Sequence, residues 1–455
     1  MKNAAKFDRR LLAVILAMGS LTLSMCDSTS DATASLPDAQ LVNVATPTAL
    51  KASPLITSNP KAGLVTYDAA KNTITVQSGV WSLPDVRAQL GDGGGVLKET
   101  TKGEWLLTAN LAISKGAALR IAGPQVAWLK LASNAAGFIW LKALGGDLQI
   151  ETTKVTSWDA DRNAVDENTD DGRSFVLARN GSHMNIVNAE MSYLGYFANE
   201  SYGVAWRTPG TTGQAINSKF GYNFYGLYAY EVSNLIIRGN EVHHSTRYGI
   251  DPHTRSNKLL IENNISHHNG KQGIILAEEC NDSVIRNNTA YSNTLHGIVI
   301  YQRSNNNIVE GNTSYGNGWQ GINVNDSSNT VVRGNVVYGN GKSGIGIGEN
   351  AQNTRIEKNT IRDNAEHGVY LYSSSTASTL VGNVISGNVQ NGIYIKSEGN
   401  LIGEGNDISG NKVGVFQRVA NPQNLAQVKS RVHDNTDVDT KLGSADSGPA
   451  PTEAP

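Results

Sequence analysis

The fold is decided by GIILAEECNDSVIRNNTAYSNTLH (residues 273–296) and its neighbour GIVIYQRSNNNIVEGNTSYGNGWQ (residues 297–320), two copies of one 24-residue pattern. Each copy opens on a glycine followed by aliphatic residues, and each places turn residues between short apolar runs. Self-similarity at a fixed period of this length predicts a stacked repeat architecture. This glycine series recurs with steps of 22 to 24 residues, at Gly226, Gly249, Gly273, Gly297, Gly321, Gly344, Gly368, Gly392 and Gly414.

An asparagine series runs in phase with the glycines. Each repeat holds short alternating runs that are too short for a helix and fit three strands per coil. We therefore predict an all-β fold, a right-handed parallel β-helix, in which the asparagines hydrogen-bond from coil to coil. The period also suits leucine-rich repeats, but their leucine signature is absent. The asparagine series is Asn240, Asn264, Asn288, Asn312, Asn335, Asn359, Asn383 and Asn406.

The chain divides into four segments by composition. Residues 1–26 carry four basic residues ahead of an apolar run, which is a secretory signal pattern. Residues 27–62 are rich in small and polar residues and read as a flexible tether, and residues 439–455 form a similar tail. The body between them, 63–438, is the predicted β-helix, and we expect its helical coils to start near residue 85.

Cysteine and charge limit the partners. Cys26 follows Leu23-Ser24-Met25, which partly matches a bacterial lipoprotein box, so lipid anchoring at Cys26 and free secretion both stay open. Cys280 then has no disulfide partner in the mature body, and we expect a buried free thiol. A net charge of -2 gives no basic field for nucleic acid.

One segment interrupts the repeat with polar chemistry. Residues 248–255, YGIDPHTR, align with the largely aliphatic QGIILAEE of the next coil. Pro252 removes a ladder donor and is expected to turn Asp251 and His253 outward. Six of the nine histidines fall in one 54-residue stretch, which favours a site there, although four of them sit at turns typical of exposed surface. These six are His243, His244, His253, His267, His268 and His296. Their spacing matches no zinc signature.

The motif YGIDPH at 248–253 closely resembles the Tyr-Gly-Phe/Ile-Asp-Pro-His motif of mannuronan C5-epimerases, β-helical enzymes that convert mannuronate to guluronate in alginate. VTSWD at 155–159, DGR at 171–173 and ESYGVAWR at 200–207 resemble further segments of the periplasmic branch of that family. The likeness spans roughly residues 85 to 420. The sequence departs from the family at Thr254, where an acid is usual, and at Glu278, where a basic residue is expected.

The resemblance implies roles for the motif residues. His253 is the candidate base and Tyr248 the candidate acid on the opposite face of the sugar. Spacing alone would equally favour Tyr230, which precedes His253 by 23 residues and is expected to lie directly beneath it. Asp251 is expected to orient the imidazole or to bind a sugar hydroxyl.

The uronate carboxylate must be neutralised when the C5 proton leaves. The nearest cations along the sequence are Arg255, Arg247 and Lys271. Glu278 and His296 are expected to line the same groove.

The sequence therefore predicts a polyuronate-modifying isomerase, a mannuronan C5-epimerase. Two alternatives stay open: a lyase that expels the 4-linked sugar from the same intermediate, and a carbohydrate-binding β-helix without chemistry. We expect alginate as substrate, a monomer, and a periplasmic or extracellular location, with a polysaccharide secretion complex and a Ca²⁺ bridge to the uronates left open. No metal is expected to be obligatory, because no EF-hand or nonapeptide calcium array is present.

Overall fold

The computed structural model describes residues 63–372 and 374–443, without the side chains of residues 92–94. The predicted signal segment, with Cys26, and the tether lie outside the described residues. Within the described part, strands dominate and form three sheets of 16, 13 and 17 strands, which we call sheets 1, 2 and 3. The same part contains no helix long and apolar enough to cross a membrane.

Sheet 1 carries the segment with the interrupted repeat. Its strands are Val65–Asp68, Thr73–Val76, Asn110–Ser114, Trp140–Leu144, Phe175–Arg179, Gly203–Arg207, Tyr225–Tyr230, Ile250–His253, Ile274–Ala277, Ile298–Tyr301, Ile322–Asn325, Ile345–Gly348, Val369–Leu371, Asn391–Ile395, Val413–Gln417 and Val438–Leu442.

Sheet 2 follows sheet 1 within each regular coil. Its strands are Gly79–Ser82, Ala117–Ala122, Asp147–Glu151, His183–Val187, Thr212–Ile216, Ile236–Arg238, Leu260–Glu262, Val284–Arg286, Ile308–Glu310, Val331–Arg333, Arg355–Glu357, Thr379–Val381 and Leu401–Ile402.

Sheet 3 completes each coil. Its strands are Leu97–Thr101, Glu104–Leu107, Trp128–Asn134, Gly137–Phe138, Lys154–Asp159, Ala164–Val165, Glu190–Ser192, Lys219–Gly221, Glu241–His243, Ile265–His267, Thr289–Tyr291, Thr313–Tyr315, Val336–Tyr338, Thr360–Arg362, Val384–Ser386, Asp407–Ser409 and Arg431–His433.

The coils stack in parallel with equivalent residues in register. In sheet 1, for example, Ile274 pairs with Ile298, which pairs with Ile322. These three isoleucines are fully buried in one continuous core inside the coils. Their sequence neighbours alternate outward, and Ile275 packs in a separate cluster on the outer face of sheet 1. The predicted parallel β-helix with three strands per coil is thereby confirmed.

The asparagine series forms the predicted ladder. Asn288 is buried, and its side-chain amide donates to the Oδ1 atom of Asn312 at 3.0 Å and to the carbonyl of Ile261 at 2.9 Å. Asn312 repeats both contacts one coil further on, with Asn335 and Ile285. Burying a polar side chain is costly unless it is hydrogen-bonded, so this ladder stabilises one corner of the coils from Asn240 to Asn406.

A second asparagine ladder was not predicted. It runs through Asn269, Asn293, Asn317 and Asn340, with amide-to-carbonyl distances of 2.9 to 3.0 Å between successive side chains. From Asn264 onward, each repeat has this asparagine five residues after the first, so the signal was present in the spacing.

The glycine series is required by close approach rather than by an unusual φ angle. A Cβ atom built on Gly273 would lie 2.6 Å from the Asn293 amide nitrogen and 2.8 Å from the Gly297 carbonyl oxygen. A side chain at this corner would therefore push the coils apart.

The N-terminal end differs from the prediction in one respect. Parallel stacking begins with Thr73–Val76, which pairs with Asn110–Ser114, and not near residue 85. Residues 83–90 instead form a short α-helix, Leu83–Leu90, capped by Ser82 with a reciprocal contact from Asp85. Leu83 and Val86 are fully buried against the first strands, so this helix packs on the core at its N-terminal end.

At the C-terminal end, the last strand, Val438–Leu442, extends four residues past the predicted end of the body. Cys280 is a buried free thiol, as predicted.

Candidate active site

The strand Ile250–His253 carries the predicted catalytic motif on sheet 1. Ile250 is fully buried in the core, and the alternation of side chains along the strand places Asp251 and His253 on the outer face. The strand pairs with the next coil through Ile250 and His253, and the proline between them donates no ladder bond.

The preceding coils place tyrosines and a cation in register with this strand. Tyr228 pairs with Asp251 and Tyr230 pairs with His253, so Tyr230 lies beneath His253 as its spacing predicts. Arg207 pairs in turn with Tyr230, and its guanidinium carbon lies 4.6 Å from the centroid of that ring. Sequence reasoning missed Arg207, which precedes His253 by two coils.

His253 is held in a polar pocket at the end of its strand. Its side chain is 29% exposed, and Nδ1 lies 2.7 Å from the Thr254 hydroxyl and 3.6 Å from the Glu278 carboxylate. Burial lowers the pKa of His253 below its ordinary value, Glu278 opposes this shift, and the charge of Arg207 adds to it. The imidazole is therefore predominantly neutral at neutral pH and can accept a proton.

Tyr248 lies on the same outer face, stacked on Tyr225 with ring centroids 5.3 Å apart. Burial and the neighbouring Asp251 raise the pKa of Tyr248 to about 12, so its phenol keeps its proton at neutral pH. The Lys271 ammonium donates a hydrogen bond to the Tyr248 hydroxyl at 3.3 Å. The structure thus brings a proton acceptor, a proton donor and a cation to one surface.

Asp251 is buried more deeply than the sequence suggested. It is 1% exposed, and among the described residues neither of its carboxyl oxygens has a hydrogen-bond partner. Burial and the nearby Glu278 raise the pKa of Asp251 well above its ordinary value, against the opposing charge of Lys271. Burial therefore favours the neutral form of this carboxyl over the carboxylate. Its predicted role in orienting the imidazole is not seen, because Thr254 occupies the Nδ1 side of His253.

The other predicted cations differ in their surroundings. Arg247 lies over the rings of Phe197 and Phe224, at 5.6 and 5.9 Å. Arg255 is exposed and forms an ion pair with Glu231. That pair lines a separate cavity of about 340 Å³ at the turn after sheet 1.

His296, another predicted groove residue, is 2% exposed and packs edge-on against Trp319. Burial lowers the pKa of His296 to about 3, so it is neutral in the folded protein. Its position in the coil is that of Tyr248 and Gln272 in the preceding coils.

The histidine-rich stretch is split between two sheets. His243 and His267 belong to strands of sheet 3, where their rings stack with centroids 5.4 Å apart. Their neighbours His244 and His268 stack in the same way at 5.2 Å. The histidines that lie close together in the sequence therefore do not gather around His253 in the structure. In residues 63–372 and 374–443, no group of three or more His, Cys, Asp or Glu side chains is arranged to hold a metal ion.

An aromatic surface precedes His253 on the outer face of sheet 1. Lys142 lies over the rings of Trp140 and Phe175, at 4.6 and 5.1 Å, and shares Glu200 with Arg179. Aromatic faces stack on sugar rings and cations attract carboxylates. This aromatic surface consists of Phe138, Trp140, Phe175, Tyr202, Tyr225, Tyr228 and Tyr230.

Comparison with known proteins finds similar sequences that carry the same name, mannuronan C5-epimerase. A mannuronan C5-epimerase of Pseudomonas fluorescens is 33% identical over 176 residues, which cover 36% of this chain and 32% of the relative. Mannuronan C5-epimerase AlgG of Azotobacter vinelandii is 30% identical over 209 residues, 43% of this chain and 39% of the relative. The alignments thus span 32% and 39% of the length of these two curated relatives.

A solved structure is similar over a greater length. The crystal structure of the periplasmic alginate epimerase AlgG superimposes with a TM-score of 0.64 at 25% identity, covering 82% of this chain and 85% of that one. The model of the right-handed β-helix region matches residues 149–314, 202–355 and 308–436, more than half of the 455 residues together. With its coils stacked in parallel from Thr73 onward, the chain belongs to the right-handed β-helix family.

Proposed function

We propose that this protein is a mannuronan C5-epimerase, an isomerase that converts β-D-mannuronate to α-L-guluronate residues within alginate. The observation that carries the proposal is the placement of a neutral, part-exposed His253 and a protonated Tyr248 on one face of sheet 1. The relatives named above, which are epimerases of this polymer, support it.

Epimerisation at C5 needs one group to remove a proton and another to return one from the opposite side. His253 accepts the C5 proton, since its lowered pKa leaves the imidazole unprotonated. The pair of electrons left on C5 delocalises into the carboxylate as an enolate-like intermediate. Tyr248 then donates its phenolic proton to the other face of C5, and exchange with solvent restores both residues. The glycosidic bond stays intact throughout.

The negative charge of the intermediate is offset by the cations of this face. Arg207, above Tyr230, and Lys271, beside Tyr248, are the cations that the contacts place nearest to the two proposed catalytic groups. Lys271 also stabilises the phenolate that forms when Tyr248 gives up its proton. Asp251, whose neutral form is favoured by burial, is proposed as a hydrogen-bond donor to a sugar oxygen once the polymer is bound.

The polymer is proposed to lie across the coils on the aromatic surface. One chain supplies this whole surface, so a monomer is proposed to be sufficient. The signal pattern and the periplasmic AlgG likeness support export to the periplasm, with Cys26 as the point of lipid attachment if the lipoprotein box is processed. Association with a polysaccharide secretion complex belongs to the same proposal. No obligatory metal is proposed, because arginine and lysine supply the positive charge, although Ca²⁺ could bridge uronates on the bound polymer.

The test is incubation of the purified protein with polymannuronate in deuterated water. Proton NMR follows guluronate formation and deuterium at C5, and ultraviolet absorbance follows the unsaturated sugars that a lyase would release. His253→Gln is the inactive control. The matched control that should retain activity is His268→Gln, at an exposed position directly after a strand of sheet 3. Deuterated guluronate without absorbance supports the proposal; rising absorbance, or no change with any polyuronate, contradicts it.

A further inference from the structure

The side chains of His253, Thr254 and Glu278 form a continuous chain of short contacts. The Thr254 hydroxyl lies 2.7 Å from Nδ1 of His253 and donates a hydrogen bond to the Glu278 carboxylate at 2.8 Å. Thr254 and Glu278 follow equivalent strands one coil apart. The backbone fixes their stacking, because the Thr254 N–H donates to the carbonyl of Ala277 at 2.8 Å.

Both residues adopt a backbone conformation that their side chains disfavour. Thr254 has a φ of 31° and Glu278 a φ of 61°, in the left-handed region where a β-branched residue is rare. The residues after the neighbouring strands, Glu231 and Gln302, have φ angles of 56° and 50°, so this left-handed turn is a property of the coil. Here the conformation turns both side chains back toward the imidazole.

The donors in this chain can be assigned. A threonine hydroxyl has one proton, and a carboxylate can only accept, so the Thr254 proton is committed to Glu278. The Thr254 oxygen must then accept at Nδ1 of His253, which places the imidazole proton on Nδ1 and the free lone pair on Nε2. We propose that Thr254 and Glu278 are positioning residues that fix His253 in the Nδ1–H tautomer and make Nε2 the base. The inference rests on the proposed function and explains how this chain works without an acid directly after its histidine.

The chain of contacts from His253 through Thr254 to Glu278 also affects the stability of the protonated imidazole. Once Nε2 has taken the C5 proton, Glu278, 3.6 Å from Nδ1, stabilises the imidazolium. Burial and Arg207 act in the opposite direction. The titratable and charged groups that face or neighbour His253 from the packed strands are Arg207, Tyr228, Tyr230, Asp251, Glu278 and Tyr301.

The first measurement reads the tautomer directly. Nitrogen-15 NMR of the full chain labelled at histidine, with His253→Gln to identify the signal, is expected to show the proton on Nδ1 in the wild type. In Thr254→Val, which keeps the shape but removes the hydroxyl, the Nε2–H form should gain population, and Thr254→Ser should restore the wild-type spectrum. A wild-type His253 with its proton on Nε2, or a spectrum indifferent to Thr254→Val, overturns the proposal.

The second measurement is kinetic. Thr254→Val is expected to lower kcat by roughly 10- to 100-fold with little change in KM, comparable to losses on removing an outer hydrogen-bond partner of a metal-bound histidine. Glu278→Gln should move the acid limb of kcat/KM to lower pH, because the carboxylate that raises the pKa of His253 is gone. If the acid limb of kcat/KM stays at the wild-type pH in Glu278→Gln, the proposed role of Glu278 is contradicted. If the tautomer responds as expected but no variant or wild type epimerises any polyuronate, the proposed function fails while the tautomer assignment stands.

Discussion

Lys271 donates a hydrogen bond to the hydroxyl of Tyr248 at 3.3 Å, and its ammonium lies 5.1 Å from the centroid of the same ring. The two residues come from adjacent coils and are 23 positions apart. A cation in this place favours the phenolate over the phenol, which matters only after Tyr248 has given up its proton.

Replacement of Lys271 by Met is therefore expected to lower kcat more than it changes KM. A hydrogen bond to a charged group contributes about 1.5–3 kcal/mol, so the loss in kcat should be on the order of 10- to 100-fold. Steady-state kinetics on polymannuronate measure it. Lys342→Met, at the equivalent position three coils further on and stacked over Trp319, is the matched control and should leave kcat unchanged. Equal kcat in both variants would contradict the proposed role of Lys271 in stabilising the Tyr248 phenolate.

Substitution of Arg207 is expected to change the pH dependence of kcat/KM. Its charge lowers the pKa of His253, so Arg207→Gln should raise that pKa and move the acid limb of kcat/KM to higher pH. This shift is opposite in sign to the one expected for Glu278→Gln. If Arg207 also contacts the uronate carboxylate, KM rises in Arg207→Gln and is partly restored in Arg207→Lys. A pH–rate profile that coincides with that of the wild type would count against both roles.

Burial of His296 is expected to make the folded protein less stable at acid pH. Its pKa is about 3 when folded and near 6.5 when unfolded, so the unfolded state binds the extra proton and stability falls as pH drops from 6.5 toward 3. A shift of this size corresponds to up to roughly 5 kcal/mol at the acid end. His296→Gln, which copies Gln272 and Gln320 of the flanking coils, should reduce the loss between pH 7 and pH 4. Urea unfolding measures it, with the exposed His268→Gln expected to behave as wild type.

The first asparagine ladder predicts a stability effect without a catalytic one. Asn312→Ala removes two donated hydrogen bonds and leaves the Asn288 amide without its acceptor, at a cost of roughly 3 kcal/mol or more. Thermal unfolding should show the loss, whereas kcat measured well below the transition should hold. The exposed Asn421→Ala is the control. A neutral effect of Asn312→Ala would mean that the ladder contributes nothing net.

Chelation tests the proposed independence from metal. Treatment with EDTA followed by dialysis is expected to leave the epimerisation rate unchanged, because Arg207 and Lys271 are the groups proposed to offset the charge of the intermediate. Added Ca²⁺ is expected to act through the polymer and so to alter KM alone. Loss of kcat on chelation, restored by a divalent cation, would contradict this.

Much of the fold could be predicted because the repeat constrains it strongly. The period alone fixes which residues stack, so the Asn288–Asn312 contact and the place of Tyr230 beneath His253 follow from counting. The start of the coils was placed too late, since the early coils have longer and irregular turns. There the period gives no register, and the aromatic surface was missed for the same reason.

The site was less predictable because depth and side-chain direction are not periodic. Counting places Asp251 on the outer face in register with Tyr228, but its burial and the resulting rise in its pKa do not follow from counting. Proximity along the chain favoured Arg255, whereas the turn directs it to Glu231. Arg207 lies 46 residues before His253 and reaches the site only through two stacking steps.

The contact between Thr254 and Glu278 joins residues one coil apart, as do the pairs of the asparagine ladder. A contact of this kind depends on the number of residues in the coil between its partners and on nothing further along the chain. Duplication of a whole coil before Gly203 would therefore lengthen the aromatic surface proposed to bind the polymer, while leaving the proposed proton-transfer groups where they are. Under the proposed function, the length of polymer that the protein contacts and the residues that transfer protons can therefore evolve separately.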